Sequence, residues 1–270
     1  MKDMGSLTVL GCGKMGTALL DGWLKKGLNP QKVIIFEPFP SPWLKAQPIR
    51  LNDEPLGWRP DFCLIAVKPQ TLQEALHQIK HYGNSNTVIL SIVAGSRFQS
   101  IEEFLGPQTP IIRAMPNTPS AIGKGVSALV RNQNVTDCQF NKAQDLLQTV
   151  GETVTLDAEP QLDIVTGISG SGPAYLFHLM EGMIKVGIQE GLTPEASKTL
   201  VTNTIIGAGE LAKHSTDSPE QLRINVTSPK GTTEAGLVHL MDAENGLEQL
   251  IGKTIRAAIN RSRQIGERDE

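Results

Sequence analysis

The sequence predicts an α/β protein: a doubly wound parallel sheet in the first half, followed by an all-α second half. Three observations carry this expectation. Up to about residue 156, short β-branched runs alternate with helical periods, the rhythm of successive βαβ units. A glycine-rich string, GCGKMG at 11–16, stands between the first run and the first helical period. Beyond roughly residue 158 the strand signal stops, and apolar residues recur at three- and four-residue spacing.

In order, strands are expected at 7–11, 32–37, 61–67, 87–93, 110–115, 127–130 and 152–156. The runs are near-continuously apolar, as strands covered on both faces are, so every pairing is expected to be parallel. Between the second and third runs lie Pro38, Pro40, Pro42, Pro48, Pro55 and Pro60, which suit neither a ladder nor a helix interior; loop with little helix is expected there. Helices are expected at 161–168, 173–190, 194–213, 229–242 and 246–266, with Pro194 and Pro229 in first turns. Their faces are rich in Gly, Ala, Ile, Leu and Met and call for a partner helix. Leu176, Met180 and Met183 read as packing residues.

Composition bounds the function. With 270 residues, 39% hydrophobic and 20% charged, the chain can bury a sizeable core. A net charge of −3 without any basic run excludes nucleic acid and anionic membranes as natural partners. Cys12, Cys63 and Cys138 are odd in number, widely spaced and without a neighbouring His at ligand spacing, so neither a disulfide framework nor a metal site is expected. The start, MKDMGSLTVLG, enters a strand at once, and no apolar stretch reaches about 18 residues. A soluble cytoplasmic protein is expected, in which the Asn134 and Asn225 sequons are chance matches.

The glycine string gives the first chemistry. Gly11 permits a tight turn, Gly13 admits a close backbone approach to a pyrophosphate, and Gly16 allows helix and sheet to touch. Lys14 and Met15 open the helix, whose N-terminal N–H groups favour an anion. Glu37 closes the second strand about twenty residues on, where an acid bonds a ribose 2′-hydroxyl and repels a 2′-phosphate. That favours NADH, although Lys45 and Arg50 in the following loop could serve a phosphate. In an open parallel sheet the ligand lies beyond the carboxyl ends of the strands. AVKPQ (66–70) and RAMPNTP (113–119) stand there, which brings Ala66, Val67, Lys68, Pro69, Met115 and Asn117 into the expected nucleotide site.

Taken together and in order, GCGKMG, AVKPQ, MPNTP, SGSGPAY (169–175) and INVTSPKGTTEAGL (224–237) resemble the Δ1-pyrroline-5-carboxylate reductases over nearly the whole chain. The resemblance implies a Rossmann-type domain at 1–158 and an all-α substrate-binding and dimerisation domain at 159–270, of the 6-phosphogluconate dehydrogenase C-terminal-like kind. It implies NAD(P)H as reductant, NADPH in most members, and homodimers that often build rings. It implies reduction of 1-pyrroline-5-carboxylate to L-proline, with SGSGPAY lining the pocket beside the nicotinamide.

Within SPKGTT, Ser228 is expected as a cap, Pro229 in the first turn, and Gly231, Thr232 and Thr233 as N–H donors to a substrate carboxylate. The resemblance adds Thr233 as the hydroxyl facing the ring nitrogen, Ser228 supporting the carboxylate and Asn225 holding the loop. Family members commonly carry two glycines where this chain reads Lys230-Gly231. If residue 230 needs a positive φ, lysine there is strained. Ser171 is expected to cap the first long rear helix. His178, His214 and His239 read as surface or packing residues. The rivals are a β-hydroxyacid dehydrogenase-like enzyme, an imine reductase and a non-catalytic NAD(P)-sensing module. The first is disfavoured because GPAYLFHLMEGMIK offers no basic residue before Lys185 at the place of that family's catalytic lysine.

Overall fold

The computed structural model describes residues 5–267; the ends of both expected domains, 1–4 and 268–270, lie outside the described residues. Inter-residue contacts divide the chain into two compact units, one of residues 1–173 with 257–270 and the other of residues 174–256.

The first unit contains eight strands: β1 (Leu7–Leu10), β2 (Val33–Phe36), β3 (Arg50–Leu51), β4 (Phe62–Ile65), β5 (Val88–Ser91), β6 (Ile111–Met115), β7 (Gly125–Arg131) and β8 (Gly151–Thr155). Their order across the sheet is β3-β2-β1-β4-β5-β6-β7-β8, a doubly wound pattern whose direction of winding reverses at β1. One face is covered by α1 (Lys14–Lys25) and α5 (Asp137–Gln148), the other by α3 (Leu72–Gln78) and α4 (Phe98–Leu105). Trp23 on α1 is fully buried, and its indole N–H donates to the Leu146 carbonyl on α5 at 2.9 Å, so the largest side chain of that layer leaves no orphan donor.

Two sequence expectations need correction here. The sheet is not parallel throughout, because β6 and β7 pair antiparallel. Only residues 116–124 join them, and a parallel crossover needs about a dozen residues or more. Strand β8 is not covered on both faces: it is the sheet edge, and Glu152, Val154 and Thr155 are exposed. The proline-rich stretch is mostly loop with little helix, as expected; its regular structure is the four-residue α2 (Pro42–Lys45), capped by the Ser41 hydroxyl on Leu44 N–H, and the two-residue edge strand β3.

The rear helices are α6 (Gln161–Val165), α7 (Gly172–Gln189), α8 (Pro194–His214), α9 (Pro219–Asn225), α10 (Thr232–Leu240) and α11 (Leu247–Glu267). Ser171 is not the N-cap of α7. Its φ of −88° and ψ of −20° are helical, and it follows directly on a π-helical turn over 166–170. Ser228 is likewise not the cap of α10: Gly231 is, and Pro229 stands before the helix. Helix α9 was not among the expected helices, although Ser218-Pro219 carried the signal, a capping hydroxyl followed by an N1 proline. In residues 174–256 the helices leave large apolar side chains exposed, among them Leu176, Phe177, Val186, Leu200, Ile206 and Val238. In the first unit, by contrast, most such residues fill three buried clusters, the two larger on either side of the sheet.

A buried ion pair ties the last parallel strand to the rear of the first unit. Arg113 on β6 is 5% exposed and donates to Glu159 Oε1 at 2.8 Å; the same oxygen accepts from the Phe98 N–H that opens α4. Burial pulls the guanidinium below its ordinary pKa, and the Glu159 carboxylate opposes that shift. On the same surface the Ser262 hydroxyl of α11 donates to Asp163 of α6 at 2.6 Å, and Gly266 packs on the backbone of Gly95.

Candidate active site

The turn after β1 is built as its glycines require. Gly11 has φ +80°, and a Cβ there would lie 2.9 Å from the Ala66 carbonyl oxygen and from Val67 Cγ1. A Cβ on Gly16 would lie 2.8 Å from the Gly11 carbonyl oxygen, so α1 and the turn touch backbone to backbone. Gly13 has open space where its side chain would be, and it serves as the N-cap of α1. Among the described residues no group accepts from the N–H of Gly13, Lys14, Met15 or Gly16; the first helical bond is Thr17 to Gly13 at 2.9 Å. Four uncommitted amides at the positive end of a twelve-residue helix form a cradle for an anion, and a pyrophosphate fits it by charge and donor type.

Glu37 stands one residue beyond β2 and closes one side of this cradle. Its Oε2 accepts from Cys12 N–H at 2.8 Å and its Oε1 from Phe39 N–H at 3.0 Å. Asn52, with φ 51°, brackets the same residue: its Oδ1 accepts from Glu37 N–H at 2.8 Å and its Nδ2 donates to the Glu37 carbonyl at 3.0 Å. Sequence reasoning missed Asn52, whose one signal was an asparagine in a turn-rich stretch, a residue type that tolerates positive φ. Arg50, on β3, pairs with Asp53 at 3.5 Å. The Cys12 thiol is pushed up by burial and further by the Glu37 charge, against a hydroxyl contact from Thr17, which makes it a filler of the turn.

The other expected nucleotide residues divide by role. Ala66 and Val67 lie against Gly11, and Lys68 and Pro69 open a short turn whose Thr71 hydroxyl donates to the Lys68 carbonyl at 3.1 Å. Met115 is buried with Ala128, Val130 and Leu162. The Asn117 side chain is committed within the first unit: Nδ2 donates to the Ser169 carbonyl at 3.2 Å and Oδ1 accepts from Val126 N–H at 2.9 Å. Its side chain therefore fixes the MPNTP loop with one donor and one acceptor position, and a second of each is left over.

In the second unit, Ser228, Pro229, Lys230 and Gly231 make a turn closed by Gly231 N–H to the Ser228 carbonyl at 3.0 Å. Lys230 has φ +60°, with proline before it, as a type II turn demands at its third residue. Gly231 follows with no room for a side chain, since a Cβ would sit 2.6 Å from Ser228 Oγ and 2.9 Å from the Ser228 carbonyl. Glu234 reaches back to accept from Lys230 N–H at 2.7 Å. The N–H groups of Thr232, Thr233 and Glu234 have no acceptor among the described residues; the first helical bond is Ala235 to Gly231 at 3.2 Å. Thr232 and Thr233 occupy the first two positions of α10 beside these amides. Asn225, the last residue of α9, joins Gln221 and Asp217 through its side chain, at 2.8 and 3.1 Å.

A doubly wound sheet with a bare amide cradle after β1 and an acid after β2 defines the class: a Rossmann-type, nicotinamide dinucleotide-dependent oxidoreductase. Comparison with known proteins narrows it. Residues 159–265 match the family model for pyrroline-5-carboxylate reductase dimerisation, and residues 6–95 match that for NADP oxidoreductase, coenzyme F420-dependent. The pyrroline-5-carboxylate reductase of Pseudomonas aeruginosa is 34% identical over 97% of both chains. The crystal structure of pyrroline carboxylate reductase from Plasmodium falciparum with NADP bound superposes with a TM-score of 0.87 at 30% identity, covering 97% of this chain and 98% of that one. The Coxiella burnetii pyrroline-5-carboxylate reductase structure gives the same TM-score and identity, covering 97% and 99%. The chain belongs to the pyrroline-5-carboxylate reductase family.

Proposed function

We propose that this protein reduces 1-pyrroline-5-carboxylate to L-proline with NAD(P)H, the last step of proline synthesis. The observation that carries the proposal is the pair of uncommitted amide arrays, one at the N-terminus of α1 and one at that of α10. The reaction needs two anions gripped, a dinucleotide pyrophosphate and a substrate carboxylate, and the chain offers one helix end for each.

Gly11, Gly13, Lys14, Met15 and Gly16 receive the pyrophosphate, with Glu37 at the adenosine ribose and Ala66 to Pro69, Met115 and Asn117 shaping the remainder. The bound nicotinamide supplies the hydride. The Ser228 hydroxyl and the N–H and hydroxyl groups of Thr232 and Thr233 hold the substrate carboxylate, while Gly231, whose own N–H closes the turn on the Ser228 carbonyl, admits its close approach; Asn225, bonded to Gln221 and Asp217, holds the end of α9 that leads into the turn. Using amides in place of a buried cation leaves the positive charge of a protonated imine unopposed. The Thr233 hydroxyl meets the ring nitrogen, and the chain contributes mainly alignment.

Dimerisation through the exposed faces of the second unit fits the matched family segment. The proposed working form is a homodimer in the cytoplasm; rings of dimers rest on the resemblance alone. No helix among the described residues is long and apolar enough to cross a membrane. Following the loss of reduced nicotinamide absorbance after adding 1-pyrroline-5-carboxylate tests the proposal. Turnover to proline is expected, whereas tight nucleotide binding without turnover would reduce the protein to a nucleotide sensor.

A further inference from the structure

The geometry points to a choice between the two nicotinamide dinucleotides: Glu37, set in place by Asn52, selects NADH and rejects NADPH. This deepens the reading of the first unit as a dinucleotide site and rests on it.

The Glu37 carboxylate is fixed on both oxygens, by the N–H of Cys12 inside the glycine turn and by the N–H of Phe39. Each oxygen keeps a further acceptor position, since an ionised carboxylate offers about four lone-pair sites. A vicinal diol can donate to those positions. A phosphate ester in place of one hydroxyl brings only acceptors and negative charge against a carboxylate that is bonded to the same turn that holds the pyrophosphate. A flexible acid could swing aside, but this one is bracketed by Asn52 on its own N–H and C=O, and it forms no ion pair among the described residues. Of the cations that follow β2, Arg50 on β3 is paired with Asp53 at 3.5 Å. A relative bound to NADP at 30% identity leaves the choice open, because one side chain at the end of β2 sets it.

Asn52 is a positioning residue in this scheme. It donates to and accepts from the Glu37 backbone as a neighbouring strand would, extending the β2–β3 pairing by side-chain contacts. Its own N–H donates to the Ile35 carbonyl at 2.8 Å, so the bracket is anchored to the sheet.

Dissociation constants settle the matter without catalysis, by titrating the full-length protein with NADH and with NADPH and following nicotinamide fluorescence. The wild-type protein is expected to bind NADH about 100-fold more tightly, the scale of a like-charge contact of a few kcal/mol. Glu37→Gln keeps size and shape and is expected to bring that ratio down to about tenfold or less, chiefly by a gain in NADPH affinity. Asn52→Ala is expected to lower the ratio too, whereas a purely structural residue would shift the melting temperature and leave the ratio alone. Equal affinities in the wild-type protein, a preference for NADPH, or an unmoved ratio in Glu37→Gln would overturn the inference while leaving the dinucleotide site intact. Failure to bind either nucleotide would overturn both.

Discussion

Lys230 occupies a left-handed backbone position, φ +60°, inside the turn that sets the amides of α10, and replacing it with glycine measures the strain held there. For an L-residue the left-handed region costs roughly 1–2 kcal/mol. Glycine removes that cost but loses roughly 0.5–1 kcal/mol of extra chain entropy on folding. The difference, about 0.5–1 kcal/mol in favour of Lys230→Gly, is the expected gain. At about 2.1 cal/mol/K of unfolding entropy per residue, a chain of this length melts about 1–2 °C higher for such a gain. Lys230→Ala is the reference, because it keeps the Cβ and the strain while removing the ammonium; it should match the wild type. Denaturant midpoints of the three proteins at one protein concentration make the comparison, since an oligomer's stability shifts with concentration. If Lys230→Gly were no more stable than Lys230→Ala, the turn would not hold residue 230 at positive φ, and the argument for a preset amide array would fall with it.

Gly13→Val is expected to abolish nucleotide binding by filling the open space beside the uncommitted amides while leaving circular dichroism unchanged; binding within threefold of wild type would remove the cradle from the cofactor site. Thr233→Ala is expected to lower turnover by about 10- to 100-fold with nucleotide affinity unaltered, and wild-type turnover would exclude the hydroxyl from the chemistry. Glu159→Ala strands the Arg113 guanidinium in a site where it is 5% exposed, so a loss of about 3 kcal/mol or more in denaturant unfolding is expected; a loss under 1 kcal/mol would mean that water reaches the site. Burial raises the thiol pKa values of Cys12 and Cys63, whereas Cys138 is exposed, so one thiol should react quickly with a disulfide reagent in the native protein and three after unfolding. The sign for stability follows from the same shifts. The unfolded chain releases those thiol protons at lower pH than the native one, so their contribution is full below the ordinary thiol value and is lost as pH rises through the native values. Flat stability across that alkaline range would contradict the burial of both groups.

What the sequence determined by itself is whatever depends on near neighbours. The glycine turn, the strand before it and the helix after it follow from spacing and from the steric freedom of Gly11 and Gly16. The type II turn at Ser228–Gly231 is written in its proline, and the strain at Lys230 is visible as the absence of a second glycine. Even the antiparallel pairing of β6 and β7 was legible in the shortness of residues 116–124, as helix α9 was in Ser218-Pro219, though apolar runs alone pointed to parallel strands throughout. Tertiary structure alone decided how distant residues commit their polar groups. Cys12 and Glu37 are 25 positions apart, Glu37 and Asn52 are 15, Arg113 and Glu159 are 46, and Asn117 and Ser169 are 52. A periodic pattern says which face a side chain takes, but a hydrogen bond needs its donor within about 3 Å of its acceptor, and only the folded sheet brings such pairs that close.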